Sequence, residues 1–496
     1  MLVVLGLTIA RVMILFLTPL ELYPDEAQYW LWSRTLDWGY YSKPPMIAWA
    51  IWATTAIGGD AEPWVRLSAP FWHAGTALAV FAIGRRLYGP AVGFAALALY
   101  MLMPGVQLSS AAIATDAPLL FFLSLTLAAY VGLQAADGRA RILAAAGVGA
   151  ALGLAFLSKY AAVYGLIGLA LHAALSPDAR RAWRPAGIAA ALAAFAAVLT
   201  PNILWNAAHG FATVQHTASN ADWGAASLFN PAELGEFLAS QFLVFGPIPF
   251  AVLLVGGGMM AIRRRLTPAD QLLICFTLPS IVIVAGQAFI SRANANWASA
   301  GFVAGTVLAA AWLIRWRAKG WLIAAVSLQS LIAALFVTWT VSPATAEAMG
   351  VANSFKRAKG WRTMTEQILE RAEREPGLTA IAVNHRFLFN AAAYYGRDAW
   401  ASGRLPPLVM WVRAARPQTQ AETTDPLTPA LGARVLGVIL EKGYRDEMLA
   451  DFGTIRDREL IRVSLDRKHK RGAELFVGQP FAPRPRDPVT GLPTPP

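Results

Sequence analysis

Two adjacent carboxylates, Asp25 and Glu26, follow Pro24 in a stretch, residues 23–45, that reads YPDEAQYWLWSRTLDWGYYSKPP. Acids in that position either cap a helix starting at Asp25 or act as a general base or anchor for a hydroxyl or amine acceptor. The rings around them, Tyr29, Trp30, Trp32, Trp38, Tyr40 and Tyr41, form either an interfacial belt or a surface on which a sugar stacks. Lys43 is fixed by the stiff Pro44-Pro45 that follows, and Lys159 sits in GLAFLSKYAAVYGL between two short apolar runs. Each lysine alone could snorkel to headgroups. With Arg292 they make a cationic socket for a phosphate. Asp116, in ATDAPLLF, either caps a helix beginning at Pro118 or joins that chemistry. His209 and His216 lie seven apart, and a metal would need further ligands at suitable distances. Asn294, Asn296 and Trp297, in SRANANW, suit a substrate-orienting amide cluster or a span end bound by its own side chains.

The chain that must position these groups has 496 residues, 56% hydrophobic and only 15% charged, against about 25% charged in a typical soluble domain. It reads as a mainly α membrane protein. Apolar runs at 2–20, 64–83, 91–109, 118–134, 142–157, 161–175, 186–204, 237–262, 272–290, 297–314 and 321–341 predict roughly eleven transmembrane helices. The first run carries Arg11 and lacks a small-residue cleavage site before Glu21, so it is expected to be retained as a span. The lone Cys275 lies in an apolar run and offers neither a disulfide nor a cysteine-based metal site.

Arginine and lysine set the orientation. Arg85-Arg86, Arg139 and Arg141, Arg180, Arg181 and Arg184, Arg263–Arg265, and Arg315, Arg317 and Lys319 follow the even-numbered spans. The positive-inside rule makes those loops and the N-terminus cytoplasmic and the tail extracytoplasmic, in a multi-pass inner-membrane protein. That distribution also accounts for the net charge of +12 without a nucleic acid. Asp25, Glu26, Lys43, Asp116, Lys159, His209, His216 and Arg292 then share the outer side. Ionisable groups at membrane depth face a protein cavity, so an outward polar cavity is expected.

The membrane domain is read as residues 1–341, with the outer loop 21–63 carrying the acidic pair and the Lys-Pro-Pro turn. Residues 342–480 change to soluble α/β composition, with strands at 378–383, 408–412 and 435–440, an amphipathic helix at 363–374 and a closing hairpin of 458–465 with 473–478. The Pro-rich 481–496 reads as an extended or disordered tail. No P-loop, GxGxxG strand–helix turn or GxSxG elbow is present, which leaves nucleotide-driven chemistry unsupported.

In order and spacing, YPDEAQYWLWSR, YYSKPP, ATDAPLLF, GLAFLSKY, the HGF…QH pair and SRANANW resemble the membrane-embedded C-type glycosyltransferases of the protein O-mannosyltransferase and lipid A aminoarabinose-transferase group. The resemblance covers about the first 300 residues. It implies transfer of one sugar from a polyprenyl-phosphate carrier to a lipid, polysaccharide or protein acceptor at the outer face of the membrane. It makes Asp25 the catalytic acid of the first outer loop, Glu26 its companion, and Asp116 the acid at the outer end of the third-to-fourth span turn. Lys43 and Lys159 match cations at the carrier phosphate, and Arg292 a cation of the late outer loop. Tyr29, Tyr40, Tyr41, His216 and Asn296 are the expected sugar or acceptor contacts. Gln28 stands where the aminoarabinose branch has Arg, and Ser42 where it has Glu. The second change removes a metal ligand, so no metal or other cofactor is expected. A transporter or flippase with an outward cavity, and a scaffold subunit, are the competing classes. The absence of a two-fold span repeat and the one-sided clustering of polar residues argue against transport.

Overall fold

The computed structural model describes residues 1–219, 228–263, 266–488 and 490–494. The chain forms two compact units: Met1–Leu17 with Leu36–Val337, and Thr18–Thr35 with Thr338–Pro496. The segment bearing Asp25 and Glu26, read from sequence as part of the membrane domain's outer loop, therefore groups with the C-terminal unit. Of the basic cluster that follows the eighth expected span, Arg264 and Arg265 lie outside the described residues, as do residues 220–227.

The first unit is helical. Among the described residues seven helices are long and apolar enough to cross a membrane, or nine when two bent pairs each count as one span. The eleven expected spans are thus not all regular helices. Leu2–Leu17 and Tyr160–Leu175 are shorter than 18 residues, while 91–109 and 237–262 become pairs bent by 54° and 120°. Proline explains both bends. It removes an N–H and clashes with the preceding turn, so an apolar run can stay unbroken in hydropathy while its helix breaks at Met103-Pro104 and at Gly246-Pro247. Gly246 adopts φ +109°, a conformation that a side chain resists. A further apolar helix, Met46–Gly58, occupies what was read as loop. Its 13 residues span about 20 Å, too short for a hydrocarbon core of about 30 Å.

Burial ranks the spans. Ala295–Arg315 has 89% of its apolar window buried and is the central helix, whereas Lys319–Val341 has 11% and lies at the rim. Two buried charges inside this unit are paired across helices. Where the helix breaks at Met103-Pro104, the freed carbonyl of Met101 accepts from Arg11 and from Gln107 Nε2 (2.8 Å), and Gln107 Oε1 accepts from the same guanidinium at 3.3 Å. The Arg11 that interrupts the first span thus satisfies a broken neighbour. At the opposite, basic ends of the spans the buried Asp270 accepts from Arg315 (2.5 and 2.9 Å) and from the Tyr88 hydroxyl (2.7 Å), tying three helices together.

The second unit is α/β. Its strands β1 (Ala380–Val383), β2 (Leu408–Met410), β3 (Val435–Ile439), β4 (Phe452–Ser464) and β5 (Lys470–Phe481) form one sheet in the order β2-β1-β3-β5-β4. β1 pairs in parallel with β2 and β3, and the hairpin β4–β5 adds antiparallel beside β3. β1 and β3 are buried at every position, which suits strands packed on both faces. The helix Trp361–Glu373 covers the sheet with its apolar side, Trp361, Met364, Ile368 and Ala372. The hairpin is longer than the sequence suggested because charged residues on its exposed edge, among them Arg456, Arg458, Glu459 and Arg462, hid its strand pattern.

The Pro-rich end is not a loose tail over its described length. Asp451, with no exposed surface, accepts from Trp411 Nε1 at 2.8 Å, Arg484 Nε at 3.2 Å and Arg486 at 3.2 Å. A buried carboxylate needs such partners, and removing them leaves an uncompensated charge. Ending the chain at Pro483 should therefore destabilise the C-terminal unit by about 3–5 kcal/mol, read from denaturant unfolding followed by amide exchange in β1 and β3. A loss below about 1 kcal/mol would show these arginines to be dispensable.

Candidate functional site

Within the first unit the polar residues converge on Asp116. Its carboxylate accepts from Lys159 Nζ through both oxygens (2.9 and 3.0 Å), from Asn296 Nδ2 (3.1 Å) and from Ser299 Oγ (3.2 Å). The two charged side chains are 12% and 19% exposed, so the pair is largely desolvated. Asp116 is the first residue of its helix, Asp116–Gln134, and its side chain is spent on these three partners. The helix begins two residues earlier than the capping interpretation placed it.

Three chain breaks deliver these groups. Lys159 stands in extended conformation (φ −164°, ψ 137°) between Gly138–Ser158 and the short 3-10 turn Tyr160–Ala162, so its side chain leaves the helix line. Asn296 and Ser299 lie on the 3-10 segment Ala295–Gly301, where residues three apart eclipse one another and address one point. Ser299 was missed from sequence for that reason, since an apolar run read as α-helix gives no sign of a 3-10 start.

A second set of contacts in the same unit fixes the Lys-Pro-Pro turn. Tyr40 N donates to the Lys43 carbonyl at 3.1 Å, and Thr213 Oγ1 donates to the Tyr40 carbonyl at 2.7 Å. The Tyr40 hydroxyl accepts from Asp37 N at 3.1 Å, and burial pushes its pKa up to about 12. Tyr41 packs edge-on against His216 at 5.8 Å. Trp205 Nε1 donates to Asp37 Oδ2 (2.6 Å) and Asn202 Nδ2 to the Trp38 carbonyl (2.6 Å), lashing the turn to the helix Pro185–Ala208. Asn206 links Asn202 to Tyr160 (3.0 Å), the neighbour of Lys159. Asp37, Asn202 and Asn206 were not singled out by sequence. Lys43 is half-buried with Pro44 and Pro45 buried behind it, and Arg292 is exposed with its carbonyl accepting from Gln287. His209 stacks on Trp205 at 4.1 Å, so His209 and His216 serve different neighbours. Among the described residues no three His, Cys, Asp or Glu side chains gather as metal ligands.

The acidic pair lies in the second unit, and its two members behave differently. The helix Pro24–Ser33 begins with Pro at its first position, and Glu26 reaches back to accept from Tyr23 N at 2.8 Å. Glu26 is 1% exposed and does the work of a capping residue. Asp25 instead keeps 43% of its side chain exposed, with Arg386 at 3.7 Å. The segment is anchored by Glu21, whose Oε2 accepts from Trp361 N (2.5 Å) and whose N donates to the Ala358 carbonyl (3.0 Å). Burial raises the Glu21 pKa, against the lowering effect of the backbone N–H groups it faces. Trp30 meets Tyr394 edge-on at 4.9 Å, and Gln28 Oε1 accepts from Arg386 (3.1 Å) and Asn390 (3.4 Å). Tyr29 and Tyr40 are only 6% and 4% exposed, which speaks for packing over open sugar-stacking faces.

Comparison with known proteins agrees with this architecture. Residues 42–205 match the family model described as dolichyl-phosphate-mannose-protein mannosyltransferase. The chain is 40% identical over 344 residues to lipid A galacturonosyltransferase RgtD of Rhizobium johnstonii, covering 69% of this chain and 71% of that protein. Its fold is similar to that of ArnT from Cupriavidus metallidurans, whose structure bound to undecaprenyl phosphate aligns with a TM-score of 0.67 at 16% identity, over 96% of this chain and 97% of that one. The apo form of the same protein gives 0.66. The long apolar helices, the α/β unit that follows them and the 40% identity lead to one assignment: the chain belongs to the membrane-embedded C-type glycosyltransferases that use polyprenyl-phosphate-linked sugars.

Proposed function

We propose that this enzyme transfers a hexuronic acid, galacturonic acid, from a polyprenyl monophosphate to a lipid A-type glycolipid at the outer face of the inner membrane. The uronic acid and the lipid acceptor are suggested by the relative that is 40% identical, and the polyprenyl phosphate by the carrier bound to ArnT. The observation that carries the reading is the desolvated Asp116–Lys159 pair with Asn296 and Ser299, a polar centre built into an apolar helical unit. Basic residues at the ends of Glu62–Tyr88 and Ala295–Arg315, and near the start of Gly138–Ser158, support the outer-face assignment.

The chemistry is a single displacement with inversion. An acceptor hydroxyl oxygen attacks C1 of the sugar, its proton passes to Asp25, and the bond from C1 to the phosphate oxygen breaks with its electrons leaving on the polyprenyl phosphate. Lys43, Lys159 and Arg292 take the carrier side. An ammonium has three donors. Lys159 gives two to Asp116, which orients the third for a phosphate oxygen. Asp116 is in this reading a positioning residue, and Glu26 supports Asp25 by holding the start of its helix. Tyr41, His216 and Asn296 are the remaining sugar or acceptor contacts. The reaction as written uses no metal or other cofactor.

Purified enzyme given undecaprenyl-phosphate-linked galacturonic acid and lipid A should yield lipid A heavier by one uronic acid residue in mass spectrometry. No product from that donor, with product from a neutral sugar donor, would overturn the uronate assignment. Asp25→Asn should abolish transfer while the protein elutes and unfolds as wild type, and near-normal turnover would remove Asp25 from its role. Lys159→Met should lower kcat by about 10²-fold, the size of effect seen when one donor to a developing anion is lost. A kcat within a factor of two of wild type would return Lys159 to a structural part. Transfer should also persist after exhaustive chelation, and a loss restored by a divalent cation would show that a metal takes part.

A further inference from the structure

We infer that Arg386, supplied by the C-terminal unit, is a positioning residue for Asp25, an inference that rests on the acceptor-side role proposed for that carboxylate. The helix Pro24–Ser33 is seated on the helix Arg386–Tyr395 by the Trp30–Tyr394 ring contact, by Asn390 on Gln28 and by Leu22 N donating to the Tyr395 hydroxyl at 2.7 Å. Arg386 opens that second helix, immediately after His385, whose Nδ1 accepts from Phe387 N at 3.1 Å and so fixes the turn. The guanidinium lies over the Phe387 ring at 4.8 Å and donates to Gln28 Oε1 at 3.1 Å. Gln28 is three residues after Asp25, hence on the same helix face. One nitrogen of Arg386 therefore holds Gln28 and lies 3.7 Å from Asp25 Oδ1.

The pair is ill suited to a purely structural purpose. With side chains 36% and 43% exposed and a separation of 3.7 Å, it adds little to stability. Its geometry does suit a carboxylate that must be aimed. Arg386 draws on Oδ1, and Oδ2 has no hydrogen-bond partner among the described residues, which leaves it to receive the acceptor proton. The neighbouring Glu26, spent on its cap, has no such freedom. Thus one end of the sheet unit, the residues following β1, controls the orientation of a residue near the opposite terminus of the chain. The C-terminal unit thereby takes part in the reaction itself.

The test combines turnover with a measurement that needs no substrate. Arg386→Gln should lower kcat for transfer from undecaprenyl-phosphate-linked galacturonic acid to lipid A by about 10–100-fold, with the donor KM unchanged, since misaiming a reacting group costs rate. Arg386→Lys should recover part of the loss. Gln28→Arg in the Arg386→Gln background should recover more, because it returns a guanidinium to the same helix face. In parallel, amide exchange across residues 23–33 should rise about threefold in Arg386→Gln and fall back in Arg386→Lys. A kcat within twofold of wild type in Arg386→Gln, while Asp25→Asn is inactive, would overturn the inference, as would unchanged exchange across 23–33. If wild-type enzyme makes no product from this donor, the functional reading fails and the exchange measurement alone decides the role of Arg386.

Discussion

A helical unit meant for lipid has no water to complete its hydrogen bonds, so each polar atom placed in it must find a protein partner. That constraint organises the first unit. Arg11 and Gln107 satisfy a carbonyl freed where the helix breaks before Pro104. Arg315 and Tyr88 surround Asp270 at the basic ends of the spans. Lys159, Asn296 and Ser299 surround Asp116. In each case at least one partner comes from a distant part of the chain, so the bonds that make a buried charge tolerable also lock the helices in register. The third cluster, like the second, stands where helices begin or stop. Asp116 opens a helix, Lys159 follows one, and Asn296 and Ser299 occupy a 3-10 run before another. Helix ends leave backbone groups unpaired and side chains free of the helix line, which makes them the places in a bundle where a ligand can be met.

Much of this was legible in the residues. Apolar length located most of the spans because the solvent dictates it. Lys159 stood out because a charge between apolar runs has to be paired, and the structure supplies its partner in Asp116. What could not be read was anything decided by a backbone break or by tertiary company. Pro104 and Pro247 bend two apolar runs without changing their hydropathy. Ser299 joins Asp116 only because its segment winds with three residues per turn. Glu26 and Asp25 look alike in sequence, and only the entry angle of their helix makes one a cap and leaves the other exposed.

The membership of Thr18–Thr35 in the C-terminal unit was the least accessible fact, because local pattern contains no trace of a partner more than three hundred residues away. Its consequences are large. A loop on a membrane domain takes its conformation from the span it leaves. This segment takes it from Glu21 on Trp361, Trp30 on Tyr394 and Gln28 on Arg386. Gln28, where a resemblance to the aminoarabinose branch would place Arg, is thereby explained within this chain. A cation is present beside Asp25, but it comes from the helix Arg386–Tyr395 and leaves position 28 to a neutral amide that can accept from it.

In the proposed reaction, charge accounting then separates the two lysines assigned to the carrier side. Asp116 neutralises Lys159 at close range, so the pair presents an oriented N–H and a dipole rather than a full positive charge. A polyprenyl monophosphate leaving group gains negative charge as the sugar departs, and a neutralised pair cannot balance it alone. In the proposed reaction the rest of the positive charge is therefore assigned to Lys43 and Arg292, and the alignment to Lys159. This division suits a carrier that must bind, react and leave: too many bare cations would hold the product phosphate as firmly as the transition state, and binding both equally gives no gain in turnover.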